Sequence, residues 1–528
     1  MHCRLPSPPL TATMSARKAR PRGLWKGRGT HKRQDLALDS DDDPRPRKRQ
    51  RYLPSDDTDE EEDDDEYYIL EYSPEPPGTP LSDMDSEPDP AMETKVEDWE
   101  DLKELFGRAA EQYDCDDVNE ALPLLRGVIH ECHRFLLLYE DPSVLFAEPN
   151  RPRSKSPDPI SPSANKPRKK CKCKESPTAF HAILGTALFL FGNLIAQDPT
   201  LALPDEPRTA ATYWLAAIDV FETSENLPSR TSGRGCEAPE DWRMALIWGR
   251  TLLCITDEVL TLAANPDAPR PPPEPRWPNP TASPFAAIAM RRPPSSRRIS
   301  LTTSVPHDLL LLAMDQFTRG IFHMPHPAHD DPVTAAAAAA AEPRVRPFSR
   351  AKELFTIARE VLSLAERLPA PEERSRWAAW ADSILNQMDM EGDTARAEWR
   401  GPVTRARGRC WLVVGTARVE DIEEAAEAGG WESVLDGEDA EEAREGLVRA
   451  IEFFERAAGS AKGEFGGENE EELTEELKAE GEQLRTFLAE ALLTLANLTR
   501  EEEKREELYS RAQALGADEL EEMEVDEA

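Results

Sequence analysis

Four times in this chain an alanine is followed four residues later by phenylalanine and, three residues beyond, by a small residue. The triples are Ala217/Phe221/Ser224, Ala313/Phe317/Gly320, Ala351/Phe355/Ala358 and Ala450/Phe454/Ala457, and Tyr509/Ala512 keeps the second half. On a helix these positions share one face, so a ring stands between two small residues and a neighbouring helix can approach closely. That is the pattern of the second helix of a tetratricopeptide (TPR) repeat. Alanine and phenylalanine are common on any core helix face, so one triple alone carries little. Repeated among helical segments joined by short turns, they predict stacked helix pairs. The expected fold is all-α, a degenerate TPR-like helical-repeat array (α-α superhelix), with Ala217, Phe221, Ala313, Phe317, Ala351, Phe355, Ala450 and Phe454 as packing residues. It is degenerate because the first-helix signature of Trp, Leu-Gly and Tyr is never complete and insertions break the period.

Composition limits how much of the chain can join such an array. Among 528 residues there are 47 prolines, 39% are hydrophobic, and mean hydropathy is -0.62, so a large part is not expected to pack. Residues 1–94 swing between basic and acidic blocks with few apolar side chains and are expected to be disordered. A first helical segment is expected over 95–145, a basic Ser/Pro-rich linker over 146–178, and TPR-like helices over 179–265. A Pro-rich disordered insertion follows at 266–303, then helices over 304–515 with an acidic insertion near 461–482, and an acidic tail at 516–528. The longest apolar run, ILGTALFLFGNLIA from Ile183 to Ala196, is shorter than the roughly 20 residues that span a bilayer and reads as a buried helix. No apolar signal segment opens the sequence, and its eight cysteines have no framework spacing, so free thiols in a reducing compartment are expected.

The formal charge of -38 disfavours direct nucleic-acid binding and anionic membranes, and favours basic partners. Two local basic runs oppose that field. Arg45, Arg47, Lys48, Arg49 and Arg51 form one; Lys166, Arg168, Lys169, Lys170, Lys172 and Lys174 form the other. Each follows a smaller basic cluster, Lys32 and Arg33 or Arg151, Arg153 and Lys155, in the bipartite arrangement that nuclear import receptors bind, so a nuclear location is expected. Ser73, Ser156, Ser161 and Ser176 precede proline, and Ser300 follows two arginines in RRIS, which makes them candidate kinase targets. The acidic C-terminal third reads as a solvated helix face or as a surface for a basic protein.

Catalytic or metal chemistry has no complete motif. In RGVIHECHRFLLL a helix puts Cys132 on the stripe of Val128, Ile129 and Phe135, while His130 and His133 share the opposite side and fall short of the three or four ligands a zinc site needs. In HMPHPAHDD, His323, His326, His329, Asp330 and Asp331 are regularly spaced, but Pro325 and Pro327 prevent the helix that would align them. Cys171 and Cys173 lie among lysines as half a site at best. Nucleotide-loop, nucleophile-elbow and kinase signatures are missing, so the chain is not expected to be an enzyme and no cofactor is expected.

Taken in order, KARPRGLWKGRGTHKR, RGVIHECHRFLLL, FHAILGTALFLFGNLIAQ and the pair AAIDVFETSENL and EDWRMALIWGRTLL resemble the fungal enhancer of translation termination family, from Lys18 to Leu253. Insertions at Arg151–Lys174, Pro266–Arg298 and around Ala335–Ala341 depart from that family's more compact pattern. The resemblance implies a nuclear, non-enzymatic protein with TPR-like helices that supports stop-codon recognition and control of hypoxic gene expression. It also implies a 2-oxoglutarate-dependent prolyl hydroxylase and ribosome-associated termination machinery as partners. The competing expectation is an acidic TPR-type histone chaperone, with GENEEELTEELKAEGE, between Phe454 and Leu484, as its acidic stretch.

Overall fold

The computed structural model describes residues 90–115, 117–139, 141–145, 175–227, 241–265, 284–289, 299–326, 348–391, 397–429, 431–464 and 475–525. They form fifteen α-helices: α1 (Pro90–Asp114), α2 (Val118–Leu138), α3 (Ala179–Gln197), α4 (Ala210–Glu225), α5 (Trp242–Ala264), α6 (Pro284–Ala289), α7 (Pro306–His323), α8 (Arg350–Ala365), α9 (Pro371–Met390), α10 (Ala397–Gly415), α11 (Val419–Gly429), α12 (Trp431–Leu435), α13 (Glu438–Glu464), α14 (Glu475–Asn497) and α15 (Glu502–Val525). No strand occurs among the described residues. Local chemistry sets several helix starts. Asp117, Asp241 and Ser349 accept backbone N–H groups in the first turns of α2, α5 and α8, and Pro306 and Pro371 open α7 and α9, where the ring costs no hydrogen bond.

The helices pack as successive pairs: α3 with α4, α5 with α7, α8 with α9, α10 with α13, and α14 with α15. The first helices of neighbouring pairs also touch, α3 to α5, α5 to α8, α8 to α10 and α10 to α14. This is the all-α helical-repeat array expected from the spacing. The short α11 and α12 are inserted inside the fourth pair and pack on α13. α3 is long and apolar enough to cross a membrane by composition, yet it lies between α2, α4 and α5 with most of its residues buried. It serves as the core helix of the N-terminal end.

The basic linker does not set the first helical segment apart. Trp99 and Phe135 pack at a tilt against Phe180 of α3 at ring separations of 6.5 and 6.0 Å, so α1 and α2 belong to the same core as α3 to α5. Arg126 of α2 donates to both oxygens of Glu206, at 2.7 and 2.8 Å, and to the Leu201 carbonyl, which fixes the α3–α4 connection on α2. The apolar stripe of α2 requires such a cover, and α3, apolar around most of its circumference, supplies it.

Pairing rests on a repeated device. Phe221, Phe317 and Phe454, on the second helices α4, α7 and α13, press their rings onto Gly185, Gly249 and Gly408 of the first helices α3, α5 and α10. A Cβ on Gly249 would come within 2.7 Å of the Phe317 ring, and one on Gly408 within 2.5 Å of the Phe454 ring. Ala217, Ala313 and Ala450 are buried beside those rings, one turn earlier. The fourth triple falls elsewhere. Ala351, Phe355 and Ala358 lie on α8, the first helix of its pair, and the half-buried Phe355 meets Trp399 of α10 at 5.4 Å. Nearer the end of the same α10–α13 pair, backbone meets backbone: a Cβ on Gly415 would stand 2.6 Å from the Leu447 nitrogen. Gly249→Ala is expected to cost about 1–3 kcal/mol, since a ring must shift, less the helix-propensity gain of about 1 kcal/mol. For Gly415→Ala the helices themselves must separate, and urea denaturation should show the larger loss there.

Three boundaries differ from expectation. Inside 266–303, Pro284–Ala289 is helical because Phe285 packs on Phe191 and Tyr213 at 5.4 and 5.8 Å, with Ile288 buried beside it. Both ends of the acidic insertion are helical, since α13 reaches Glu464 and α14 begins at Glu475; residues 465–474 lie outside those described. α15 continues to Val525, well into the expected tail.

Arg350 closes the junction of the second and third pairs. It is 4% exposed at the start of α8, and its Nη1 donates to the carbonyls of Ile321 and Met324 at 3.0 and 3.1 Å, satisfying acceptors at the end of α7. Its Nε and Nη2 grip both oxygens of Glu391, just past α9, at 2.8 and 3.0 Å. One guanidinium therefore joins the ends of three helices.

Candidate interaction surface

The row of first helices presents a half-buried, mixed face. α5 contributes Ile247, Arg250 and Cys254, α8 contributes Glu353, Phe355 and Glu360, and α10 contributes Trp399, Arg405 and Arg409. Arg250 reaches across to Glu353 (2.9 Å) and Glu360 (3.1 Å). Arg409 pairs with Glu366 at 2.6 Å and lies over the Phe487 ring of α14, and Arg405 pairs with Glu480. Such part-exposed pairs contribute little stability singly, about 0–1 kcal/mol, but they hold neighbouring helices in register. Burial, above all other causes, pushes the Cys254 thiol up to about 12, so it is a packed sulfur and not a nucleophile. The Phe355/Trp399 pair and the part-exposed arginine–carboxylate pairs of the same row can receive an extended protein segment through ring contacts and exchange of ion-pair partners.

A second surface lies at the acidic end. Residues 419–445 carry twelve carboxylates and one arginine. There α11, α12 and the start of α13 line an open cavity of about 260 Å³ with Ile422, Ala425 and Val434 alongside Asp421, Glu438 and Asp439. Arg418 closes one side, paired with Glu372 (2.7 Å) and Asp439 (3.3 Å), and Trp431 of α12 is exposed.

Residues singled out in the sequence are placed as follows. Cys132 is buried in the α2 core, and burial pushes its thiol well above the ordinary range; His130 is exposed and His133 half-buried. His323 ends α7, and His326 stands 4.0 Å from Glu391. His329, Asp330, Asp331, Cys171, Cys173 and both basic runs lie outside the described residues. No group of three or more metal-ligating side chains occurs among the described residues. Missed in the sequence were Gly185, Gly249 and Gly408; a lone glycine inside a helical pattern is the signal that marks such a close approach.

No protein-family model matches the chain, and no curated protein matches it. Among solved structures, one of the S. pombe nuclear import adaptor Nro1 shares 12% identity, covers 80% of this chain and 93% of that one, and has a TM-score of 0.40. A second, of Nro1 as a hypoxic regulator of sterol synthesis and nuclear import adaptor, shares 13% over 80% and 92% of the two chains, again at a TM-score of 0.40. A circular tandem repeat protein shares 14%, covering 82% of this chain and 72% of that one at a TM-score of 0.24. At these scores none of the likenesses establishes a shared fold or function.

Proposed function

We propose that the chain is a nuclear helical-repeat scaffold, not an enzyme, that supports stop-codon fidelity and hypoxic gene regulation by holding protein partners. The observation that carries this is the continuous row of first helices, whose arginine and aromatic side chains offer recognition rather than bond-breaking chemistry. Three of the motifs that resemble the enhancer of translation termination family, RGVIHECHRFLLL, FHAILGTALFLFGNLIAQ and the pair AAIDVFETSENL and EDWRMALIWGRTLL, fall on helices of one shared core, α2 to α5, while KARPRGLWKGRGTHKR lies outside the described residues. Its partners in this reading are a 2-oxoglutarate-dependent prolyl hydroxylase and termination machinery, and the runs at Arg45–Arg51 and Lys166–Lys174 deliver it to the nucleus. Affinity purification with mass spectrometry, joined to a readthrough reporter in a deletion strain, tests this. Deletion is expected to raise readthrough several-fold, with a hydroxylase or ribosome-linked protein co-purifying. Unchanged readthrough together with core histones as the main partner would favour the second reading, an acidic histone chaperone, for which the carboxylate-rich surface of α11 to α13 speaks.

A further inference from the structure

Ser176 is, among the described residues, the serine that precedes a proline, and it stands in a fixed setting. Glu175 before it accepts hydrogen bonds from Trp99 Nε1 (3.2 Å) and Lys103 Nζ (2.5 Å), both on α1. Pro177 and Thr178 after it are buried, and Ser176 itself is half-buried. Its Oγ lies 2.8 Å from Thr178 Oγ1 and accepts the Thr178 N–H at 3.4 Å. The hydroxyl is thus held at the α1–α3 junction, two positions after Lys174 in sequence, and the neighbouring Glu175 is bound by a lysine that also pairs with Glu100.

We propose that Ser176 is a phosphorylation site for a proline-directed serine/threonine kinase, and that its phosphate, received by Lys103, weakens capture of the adjacent basic run by an import receptor. The second half rests on reading that run as an import signal. In the transfer, Ser176 Oγ bonds to the γ-phosphorus of ATP and the bond from that phosphorus to the bridging oxygen of ADP breaks. The hydroxyl proton passes to the kinase's base and then to solvent. The product adds a charge of about -2 within ten positions, along the sequence, of six basic residues and gives Lys103 a stronger acceptor one residue beyond Glu175. Access requires Pro177 to leave its packed position, so the rate reports opening of the α1–α3 junction. Lys103→Ala, which frees Glu175, is expected to raise the initial rate.

The test uses the full chain with Arg45, Arg47, Lys48, Arg49 and Arg51 changed to alanine, so that the second run alone is read; it treats this parent with a cyclin-dependent kinase and ATP, maps phosphate by peptide mass spectrometry, and measures importin α binding before and after. Expected are phosphate on Ser176, importin affinity lowered by about five-fold, and no such loss for Ser176→Ala after the same treatment. Phosphate confined to other sites such as Ser73, Ser156 and Ser161 would overturn the proposal. So would phosphorylated Ser176 with unchanged affinity, if Lys169→Ala/Lys170→Ala abolishes binding. Should that double variant bind importin as tightly as the parent, the import reading fails instead, and the mass spectrum and the Lys103→Ala rate alone decide the phosphorylation site.

Discussion

Arg350→Met is expected to lower stability by about 3–5 kcal/mol, because it removes the cation from a partly buried carboxylate, leaving it the Gln387 amide, and removes the guanidinium donor from two helix-end carbonyls. Methionine fills much of the arginine's volume, so the loss reports hydrogen bonds and charge and not a cavity. Equilibrium urea denaturation followed by far-UV circular dichroism measures it, and a loss below about 1 kcal/mol would show that water replaces the guanidinium. The effect depends on pH. Burial alone would raise the Glu391 carboxyl, but hydrogen bonds from Arg350 and Gln387 outweigh it and hold the group below the usual carboxylate range. Its contribution is therefore complete above the unfolded carboxylate value of 4.5 and is lost as pH falls through the lower folded value. Parent and variant stabilities should converge on acidification, whereas they should differ by a constant amount between pH 6 and 8.

Phe317→Ala is expected to cost a similar amount, about 3–5 kcal/mol, since the ring is fully buried between Gly249 of its own pair and Trp380 of the next, 6.1 Å away. Neither neighbour can fill the space: a glycine has no side chain to move and the indole is fixed in α9. Phe355→Ala should cost distinctly less, because that ring is half-buried on the α8 face. Equal losses for the two phenylalanines would mean that the second-helix position has no special role. In an array where each pair contacts its neighbours, the Phe317 change should also loosen the α5–α8 contact, visible as faster amide exchange in both helices.

Helical period and the small–ring–small spacing were enough to anticipate stacked pairs, because those signals are local. Phe221, Phe317 and Phe454 carry them on second helices. Ala351/Phe355/Ala358 shows the limit of that spacing: it is satisfied equally by a ring turned to an open face, and the choice is made by Trp399, 44 positions away. α6 was illegible for a related reason. Six residues between proline-rich stretches have no helical signal of their own, and only Phe191 and Tyr213 on distant helices explain why Phe285 settles there. Arg350 looked like any charged residue opening a helix, since its partners lie 26 to 41 positions away. The recognition face was equally hidden, because Arg250, Glu353 and Glu360 become neighbours only when α5 and α8 pack.

The side chains of α10 serve two cores. Val413 and Val414 belong to the large one that begins at Trp99, while Leu412 between them and Trp411 belongs with the smaller one that runs to Ala512. That arrangement makes the helix a torsion bar. When a bound segment pulls the C-terminal pairs, twist passes along α10, between the ring of Phe454 at Gly408 and the bare backbone crossing at Gly415, with the Arg418–Glu372 pair as a second, exposed link. A partner could thus set the spacing of the face around Trp399 without touching it, and the stiffness of this single helix would decide how far the strain travels.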